Sequence, residues 1–123
     1  MDSTNQNIKI ISYNIQSFGK DKYNTVHDLL KRCDFLLLQE VWKYEYEFIN
    51  IVKRDFEGYE CLYTSAMNEK VPLTGRPYGG VGIMCKTNIH CNAEKIECIS
   101  KIICAINITF ESSSLLFFNT SRQ

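Results

Sequence analysis

The sequence has no excess of either charge and no long apolar run. Fourteen lysine and arginine residues balance fourteen aspartate and glutamate residues, so the formal net charge is zero. A neutral chain does not bind nucleic acid through bulk charge, but its net charge does not exclude a local basic groove. No apolar run approaches the ~20 residues of a membrane-spanning helix, which predicts no membrane span. The polar segment at residues 1–7 carries no apolar signal region, so we expect an intracellular protein.

Cysteine is present six times but never in the spacing of a metal or redox motif. No two cysteines form a Cys-x-x-Cys pair, so the sequence lacks a zinc-ribbon pattern. Without a secretion signal, a disulfide framework is not expected. We therefore interpret the cysteines as small buried hydrophobic side chains. They are Cys33, Cys61, Cys85, Cys91, Cys98 and Cys104.

The hydrophobic pattern predicts one domain over residues 8–123, preceded by the polar tail at residues 1–7. Hydrophobic residues make up 45% of the chain and charged residues 23%, the proportions of a globular protein. Helical spacing of apolar residues predicts two helices, one with Val26, Leu29, Leu30 and Cys33, the other with Tyr44, Phe48, Ile51 and Val52. Asp21 or Asn24 is expected to cap the first helix. Short apolar or alternating runs predict strands at 9–14, 35–39, 59–65, 81–85, 90–97, 102–110 and 115–119.

Two polar residues follow the first two predicted strands. Asn14 ends the first strand, and Glu40 comes directly after the buried strand at 35–39. About 20 residues that include a helix separate these strands, which is enough for a crossover and predicts a parallel pair. Parallel strands end at the same edge of a sheet, so Asn14 and Glu40 would meet there. Because Mg²⁺ prefers oxygen ligands and keeps waters and phosphates for the rest, this edge is a candidate metal site.

Each of these two residues also has a simpler interpretation. Glu40 is alternatively the first solvated residue after a strand, and Asn14 an ordinary residue of a turn, where asparagine is favoured. Residues further along the chain are needed to decide between these interpretations.

Three segments in order carry a resemblance to a known family. They are Ile-Ser-Tyr-Asn-Ile-Gln-Ser-Phe at 11–18, Asp-Phe-Leu-Leu-Leu-Gln-Glu-Val-Trp at 34–42 and Gly-Arg-Pro-Tyr-Gly-Gly-Val-Gly-Ile at 75–83. Together they resemble the endonuclease/exonuclease/phosphatase superfamily, and the third looks most like the endonuclease domains of LINE-type (non-LTR) retrotransposons. The resemblance covers nearly the whole chain but only the N-terminal half of that family's domain. It implies an α+β, DNase I-like fold, here a truncated four-layer α/β/β/α sandwich that begins β-α-β-α and continues with mostly antiparallel strands.

The resemblance implies a metal-dependent phosphodiester hydrolase that acts on DNA. Glu40 matches the family's glutamate ligand for Mg²⁺, with Mn²⁺ as an alternative, and Asn14 matches the asparagine beside metal and phosphate. Gln39 would support this site. Arg76 and Tyr78 match a loop next to the substrate groove, although Arg76 is equally a solvated charge and Tyr78 a packing residue. A retrotransposon origin would place the protein in the nucleus.

The same resemblance sets an expectation of low activity. The family's later Asp-x-Asn motif and its terminal Asp–His pair find no counterpart, and His27 and His90 fall in a helix and near a turn. We therefore expect an incomplete, inactive fragment of a DNA endonuclease. One alternative is a non-catalytic remnant or interaction module that self-associates through an uncovered sheet surface. Another is a phosphatase or ribonuclease of the same superfamily.

Overall fold

The computed structural model describes residues 8–67, 75, 77–87, 91–100, 103–110 and 113–120, and from residue 91 onward it describes the backbone. The elements are β1 (Ile10–Asn14), a 3₁₀ helix (Lys20–Lys22), α1 (Tyr23–Leu30), β2 (Phe35–Gln39), α2 (Glu45–Asp55), β3 (Tyr59–Thr64), β4 (Val81–Lys86), β5 (Cys91–Ser100), β6 (Ile103–Phe110) and β7 (Ser113–Thr120). This order confirms the predicted β-α-β-α start followed by strands.

Four strands form one sheet in the order β1-β2-β4-β3. Strands β1 and β2 are parallel, as the crossover predicted, and Asn14 stands opposite Gln39 in their register. Strand β4 is antiparallel to both β2 and β3. The two parallel strands therefore end at the same edge of the sheet, where β4 begins.

A second sheet contains β5, β6 and β7 in that order, all antiparallel. Its last two strands are paired along their whole length, from Ile103 opposite Thr120 to Phe110 opposite Ser113, which confirms the predicted hairpin. Strands β5 and β6 lie close to β3 and β4 of the first sheet.

The two faces of the four-stranded sheet bury different sets of side chains. Successive residues of a strand point to opposite faces, and β2 is buried on both. One face packs against the helices and carries Leu36, Leu38 and Met84 with residues of α1 and α2. The other face carries Phe35, Leu37, Ala66, Val81 and Ile83. This double burial explains why β2 reads as a continuous apolar run rather than an alternating one.

The start of α1 differs from the sequence prediction. Neither Asp21 nor Asn24 caps the helix, because the 3₁₀ helix runs directly into it and Lys22 occupies the N-cap position without a side-chain cap. The chain is already wound at this point, since the Lys22 N–H donates to the Gly19 carbonyl at 2.9 Å.

The cysteines and the helix lengths can be compared with the sequence predictions. Cys33 and Cys61 are free thiols, half-buried against the main core, as predicted for small hydrophobic side chains. Within the described part of the chain, no helix is long and apolar enough to cross a membrane.

Candidate active site

Asn14 and Glu40 lie next to each other along the edge where β1 and β2 end. Asn14 is exposed and pairs with Gln39 in the strand register. The pairing continues one step further, because the Ile15 N–H donates to the Gln39 carbonyl at 3.0 Å. Glu40 is half-buried and is the residue directly after Gln39, the last residue of β2. The structure thus brings the two residues to adjacent backbone positions, as predicted from the parallel crossover.

The backbone turns sharply at both positions. Among the described residues other than glycine, positive φ occurs at Gln16 (48°) and Ser17 (82°) after β1, and at Glu40 (57°) and Trp42 (60°) after β2. The left-handed region is unfavourable for side chains with a Cβ and is found where surrounding contacts enforce it, often at functional sites. Among the described non-glycine residues, this strain lies in the two loops that carry the candidate site.

The turn at Glu40 brings its carboxylate onto the indole of Trp42. The Nε1–H of Trp42 donates to Oε1 of Glu40 at 2.9 Å, and both side chains are half-buried. Val41, between them, is fully buried in the main core and anchors the turn. From the sequence alone, Trp42 is more simply a residue that caps the core than a platform for stacking bases. The available signal was a hydrogen-bond donor two residues after the acid.

Backbone hydrogen bonds join three loops at this edge. Ser17 N–H donates to the Glu40 carbonyl at 2.9 Å and Phe18 N–H to the Val41 carbonyl at 3.1 Å. On the other side, Trp42 N–H donates to the Gly79 carbonyl at 2.8 Å. The loops after β1, after β2 and before β4 therefore form one bonded unit around Glu40.

Lys22 stabilises the loop after β1 through hydrogen bonds to its backbone. Its ammonium group donates to the carbonyl of Ile15 and to those of Gln16 and Ser17, the last two at 3.2 and 3.4 Å. Three carbonyls that converge on one cation stabilise the two left-handed residues of this loop. Sequence reasoning missed Lys22, because a lysine in a polar turn has no motif around it.

Tyr63 joins the loop after β2 to β3. This buried tyrosine donates through its hydroxyl to the Lys43 carbonyl at 2.7 Å, and Ser65 Oγ donates to the same carbonyl at 3.1 Å. Gly80, at φ +99°, leaves the space that the hydroxyl occupies. The two adjacent glycines, Gly79 and Gly80, both with positive φ, thus give the chain a tight path into β4.

The remaining predicted site residues are placed differently. Gln39 donates through Nε2 to Ser12 Oγ at 2.5 Å, across β1 and β2, so it supports the edge on which Asn14 and Glu40 stand. Tyr78 is half-buried and packs against the cluster on the second face of the sheet, which favours the packing interpretation. Arg76 lies outside the described residues.

Of the two histidines, the structure describes only His27, which lies away from this edge. His27, in α1, is half-buried, and its ring stacks on Phe56 with a 4.2 Å centroid separation. His90 lies outside the described residues. His27 thus lies in a helix, as the sequence predicted, and packs there as an ordinary partly buried histidine.

The sequence matches the Endonuclease/Exonuclease/phosphatase family over residues 11–113, most of its length. The chain belongs to the endonuclease/exonuclease/phosphatase family. Both Asn14 and Glu40 fall within the matched residues. Among curated protein sequences, none matches this chain.

Solved structures share the fold at low sequence identity. A 3′ phosphatase from Neisseria, solved with a product DNA hairpin, has a TM-score of 0.60 and 18% identity over 89% of this chain and 40% of its own. The endonuclease domain of TRAS1, a telomere-specific non-LTR retrotransposon, has a TM-score of 0.57 and 10% identity over 94% and 46%. An AP endonuclease from Leishmania major has a TM-score of 0.58 and 16% identity over 93% and 40%. The chain spans less than half the length of each of these structures and has their DNase I-like fold.

The donor set at the candidate site suits a hard divalent cation. Glu40 offers a carboxylate whose Oε1 accepts from Trp42, and the amide of Asn14 offers an oxygen at the adjacent strand end. Mg²⁺ is typically held by one or two carboxylates and completes its shell with waters and substrate phosphates. Among the described residues, no group of three or more His, Cys, Asp or Glu side chains could hold a metal ion. The residues present therefore fit a sparse magnesium site rather than a closed protein cage.

Proposed function

We propose that this chain is part of a divalent-metal-dependent DNA phosphodiester hydrolase of the retrotransposon-endonuclease type. The observation that carries the proposal is Glu40, held left-handed at the end of a buried parallel strand beside Asn14 and oriented by Trp42. Family membership supports the reaction class, and the shared fold with the TRAS1 endonuclease domain supports the type. A retrotransposon endonuclease would work in the nucleus.

The chain's own residues would bind and orient. Glu40 would supply the carboxylate ligand, and Asn14 would contact the metal shell or the phosphate from the adjacent strand. The three bonded loops would keep both groups in place, which lowers the cost of ordering them when substrate arrives. Bound Mg²⁺ would polarise the phosphoryl oxygen and stabilise the leaving oxygen.

We further propose that the chain alone has negligible nuclease activity. The described residues hold one acid at the site and bring no histidine to it, since His27 stacks on Phe56 inside the helical layer. Hydrolysis needs a positioned group to accept the proton of the attacking water, typically worth about 10²–10⁴-fold in rate. A weak metal site without that group gives binding rather than turnover.

A small cavity lined in part by the loops after β1 and β2 offers contacts for a nucleic-acid backbone. It lies between α1 and α2 and is lined by Lys20, Lys43 and Arg54 together with the exposed ring of Tyr46. Arg54 is paired with Asp55 at 2.9 Å and Glu47 adds one carboxylate to the lining, so Lys20 and Lys43 leave a small excess of positive charge. This excess supports a phosphate backbone as the ligand in a chain whose net charge is zero.

The metal site can be tested by NMR with Mn²⁺. Paramagnetic Mn²⁺ added to the labelled chain should broaden the amide signals of Asn14 and Glu40 before all others. Glu40→Gln should abolish this local broadening, and Glu57→Gln, at an exposed residue after α2, should leave it intact. Broadening that is the same in all three proteins would mean that Glu40 is not a metal ligand.

Activity can be tested on supercoiled plasmid, RNA and inositol phosphates in the presence of Mg²⁺. We expect no turnover of any of them above that of Glu40→Ala. Glu40-dependent nicking of plasmid would show that the chain is itself an active nuclease. Glu40-dependent turnover of RNA or of an inositol phosphate would show that this compound, and not DNA, is the substrate.

A non-catalytic interaction module is the second candidate. Strand β1 stands at the end of its sheet among the described strands, and Ile10 on it is 37% exposed. An edge strand with an exposed apolar side chain can pair with a strand of another chain. Sedimentation velocity of the wild type and of Ile10→Lys tests this. A dimer lost in the lysine variant supports the module, and a monomer at all concentrations refutes it.

A further inference from the structure

We propose that Trp42 is a positioning residue that orients Glu40 for metal binding through its second carboxylate oxygen. The inference rests on the proposed function, since it concerns the same metal site. Its basis is the 2.9 Å hydrogen bond from Trp42 Nε1 to Glu40 Oε1, made across a turn in which both residues are left-handed. Oε1 is held by the indole, and Oε2 is left for the cation.

An unrestrained glutamate is a poor ligand because its side chain has several rotatable bonds. Fixing such a side chain costs up to about 2 kcal/mol of rotamer entropy. In this chain the rotamer entropy of Glu40 is lost during folding, because the indole N–H selects one carboxylate orientation before a metal binds. Partners of metal ligands act in this way, and their loss typically weakens metal binding about 10–100-fold.

Tryptophan suits this role chemically. The indole is a donor only, so it cannot accept a proton or compete as a ligand. It is also neutral, so the carboxylate keeps the negative charge that attracts the cation, whereas a lysine or arginine in the same place would offset it. A hydrogen bond from a neutral donor thus orients Glu40 with little change in its charge.

The backbone that carries the indole is itself held in place. The backbone N–H of Trp42 donates to the Gly79 carbonyl at 2.8 Å, and the preceding Val41 is fully buried. The next residue, Lys43, is fixed through its carbonyl by Tyr63 and Ser65. The donor therefore stands on a backbone that is tied to two other loops and to β3, so it can determine where Glu40 lies.

The first experiment examines the bond without metal. Trp42 is the chain's single tryptophan, so its indole N–H gives one resolved NMR signal. Glu40→Ala should move this signal upfield and speed the exchange of its proton with water. Glu57→Ala, a substitution of the same type outside the site, should leave it unchanged. An indole signal that is insensitive to Glu40→Ala would overturn the proposal.

The second experiment measures Mn²⁺ affinity by water-proton relaxation in the full chain. Trp42→Phe keeps an aromatic ring but removes the donor, and we expect about tenfold weaker binding. Tyr59→Phe, which removes a hydroxyl at the opposite end of the sheet, where Tyr59 pairs with Lys86, should bind like the wild type. Amide spectra must show that the variant core is folded.

The outcomes separate the two proposals. If Mn²⁺ binding depends on Glu40 but the affinity of Trp42→Phe is within twofold of wild type, the positioning role of Trp42 is overturned and the metal site stands. A wild-type chain without Glu40-dependent binding would overturn the proposed metal site and the positioning role with it.

Discussion

Gly80 and Tyr63 are in direct contact, and the tyrosine hydroxyl occupies the space in which a side chain at position 80 would begin. A Cβ at Gly80 would overlap the Oη atom of Tyr63. The same hydroxyl donates to the Lys43 carbonyl at 2.7 Å. One buried tyrosine thus joins the loop before β4 to the loop that follows Glu40, and the absence of a side chain at Gly80 makes this possible.

Gly80→Ala should destabilise the protein by about 3 kcal/mol. The new methyl group would collide with Tyr63, and alanine is strained at the φ of +99°. The collision cannot be relieved by a small rotation, because Tyr63 is buried and hydrogen-bonded to Lys43. Urea denaturation followed by circular dichroism measures the loss of unfolding free energy.

Gly58→Ala is the matched control for this experiment. Gly58 has a φ of +90°, and no atom lies within 4 Å of the position that a methyl group would take there, so alanine is strained without a collision. We expect a loss of about 1 kcal/mol from backbone strain alone. Equal losses at the two glycines would show that contact with Tyr63 adds nothing.

Lys22→Met should loosen the loop after β1. The substitution keeps the length of the side chain but removes the ammonium group that bonds the carbonyls of Ile15, Gln16 and Ser17. Hydrogen bonds from a charged donor contribute about 1.5–3 kcal/mol, and partial exposure reduces this to about 1 kcal/mol here. The loop should open first, so the Ser17 amide should exchange with deuterium faster than in the wild type.

Lys20→Met serves as the control, since Lys20 is an exposed residue of the same 3₁₀ helix. Its removal should change the stability by no more than about 0.5 kcal/mol and leave exchange at Ser17 as it was. If both substitutions speed that exchange alike, the cause is the loss of positive charge in general and not the bonds made by Lys22.

The fold was predictable because its main signals are local. The apolar run at 35–38, followed by Gln39, predicted the bounds of β2 as they are in the structure, and the helical spacing of Phe48, Ile51 and Val52 located α2. The length of the connection between β1 and β2 predicted their parallel pairing. That pairing in turn predicted that Asn14 and Glu40 share one edge.

The contacts that hold the site were not predictable from the same signals. The bond between Trp42 and Glu40 depends on two left-handed residues, and no residue type at those positions indicates that conformation. The bonds of Lys22 and Tyr63 end on backbone carbonyls, which every residue has, so no sequence pattern marks them. The N-cap of α1 was wrongly predicted because a 3₁₀ helix takes the place of a capping side chain.

The half-buried thiol of Cys61 should make the free energy of unfolding fall at high pH. Burial raises the pKa of this thiol from 9.0 to about 11, against a smaller opposing effect of Lys53. The folded protein therefore holds the proton more tightly than the unfolded chain does. The resulting stabilisation is complete below about pH 9 and is lost as the pH rises towards 11.

Cys61→Val isolates this contribution, because valine fills similar space in strand β3 and has no proton to lose. The unfolding free energy of the wild type should fall relative to that of the variant between about pH 9 and pH 11. Urea titrations at a series of pH values measure both. A wild-type stability that stays constant or rises relative to the variant would mean that folding does not raise the pKa of this thiol.

Glu40 should reveal its backbone strain in a comparison of two substitutions. Glu40→Gly and Glu40→Ala remove the same carboxylate and the same bond to Trp42, but only glycine adopts a φ near +57° without cost. We expect the glycine variant to be more stable than the alanine variant by about 1 kcal/mol. Both should fail to bind Mn²⁺, so the strained conformation would be one that the chain keeps for the metal ligand.

Glu57 provides the opposite case, since it is an exposed glutamate whose φ is not positive. There glycine only adds freedom to the unfolded chain, so Glu57→Gly should be less stable than Glu57→Ala by about 0.5 kcal/mol. The sign of the glycine–alanine difference should therefore reverse between positions 40 and 57. The same sign at both positions would show that Glu40 is not held in a strained conformation in solution.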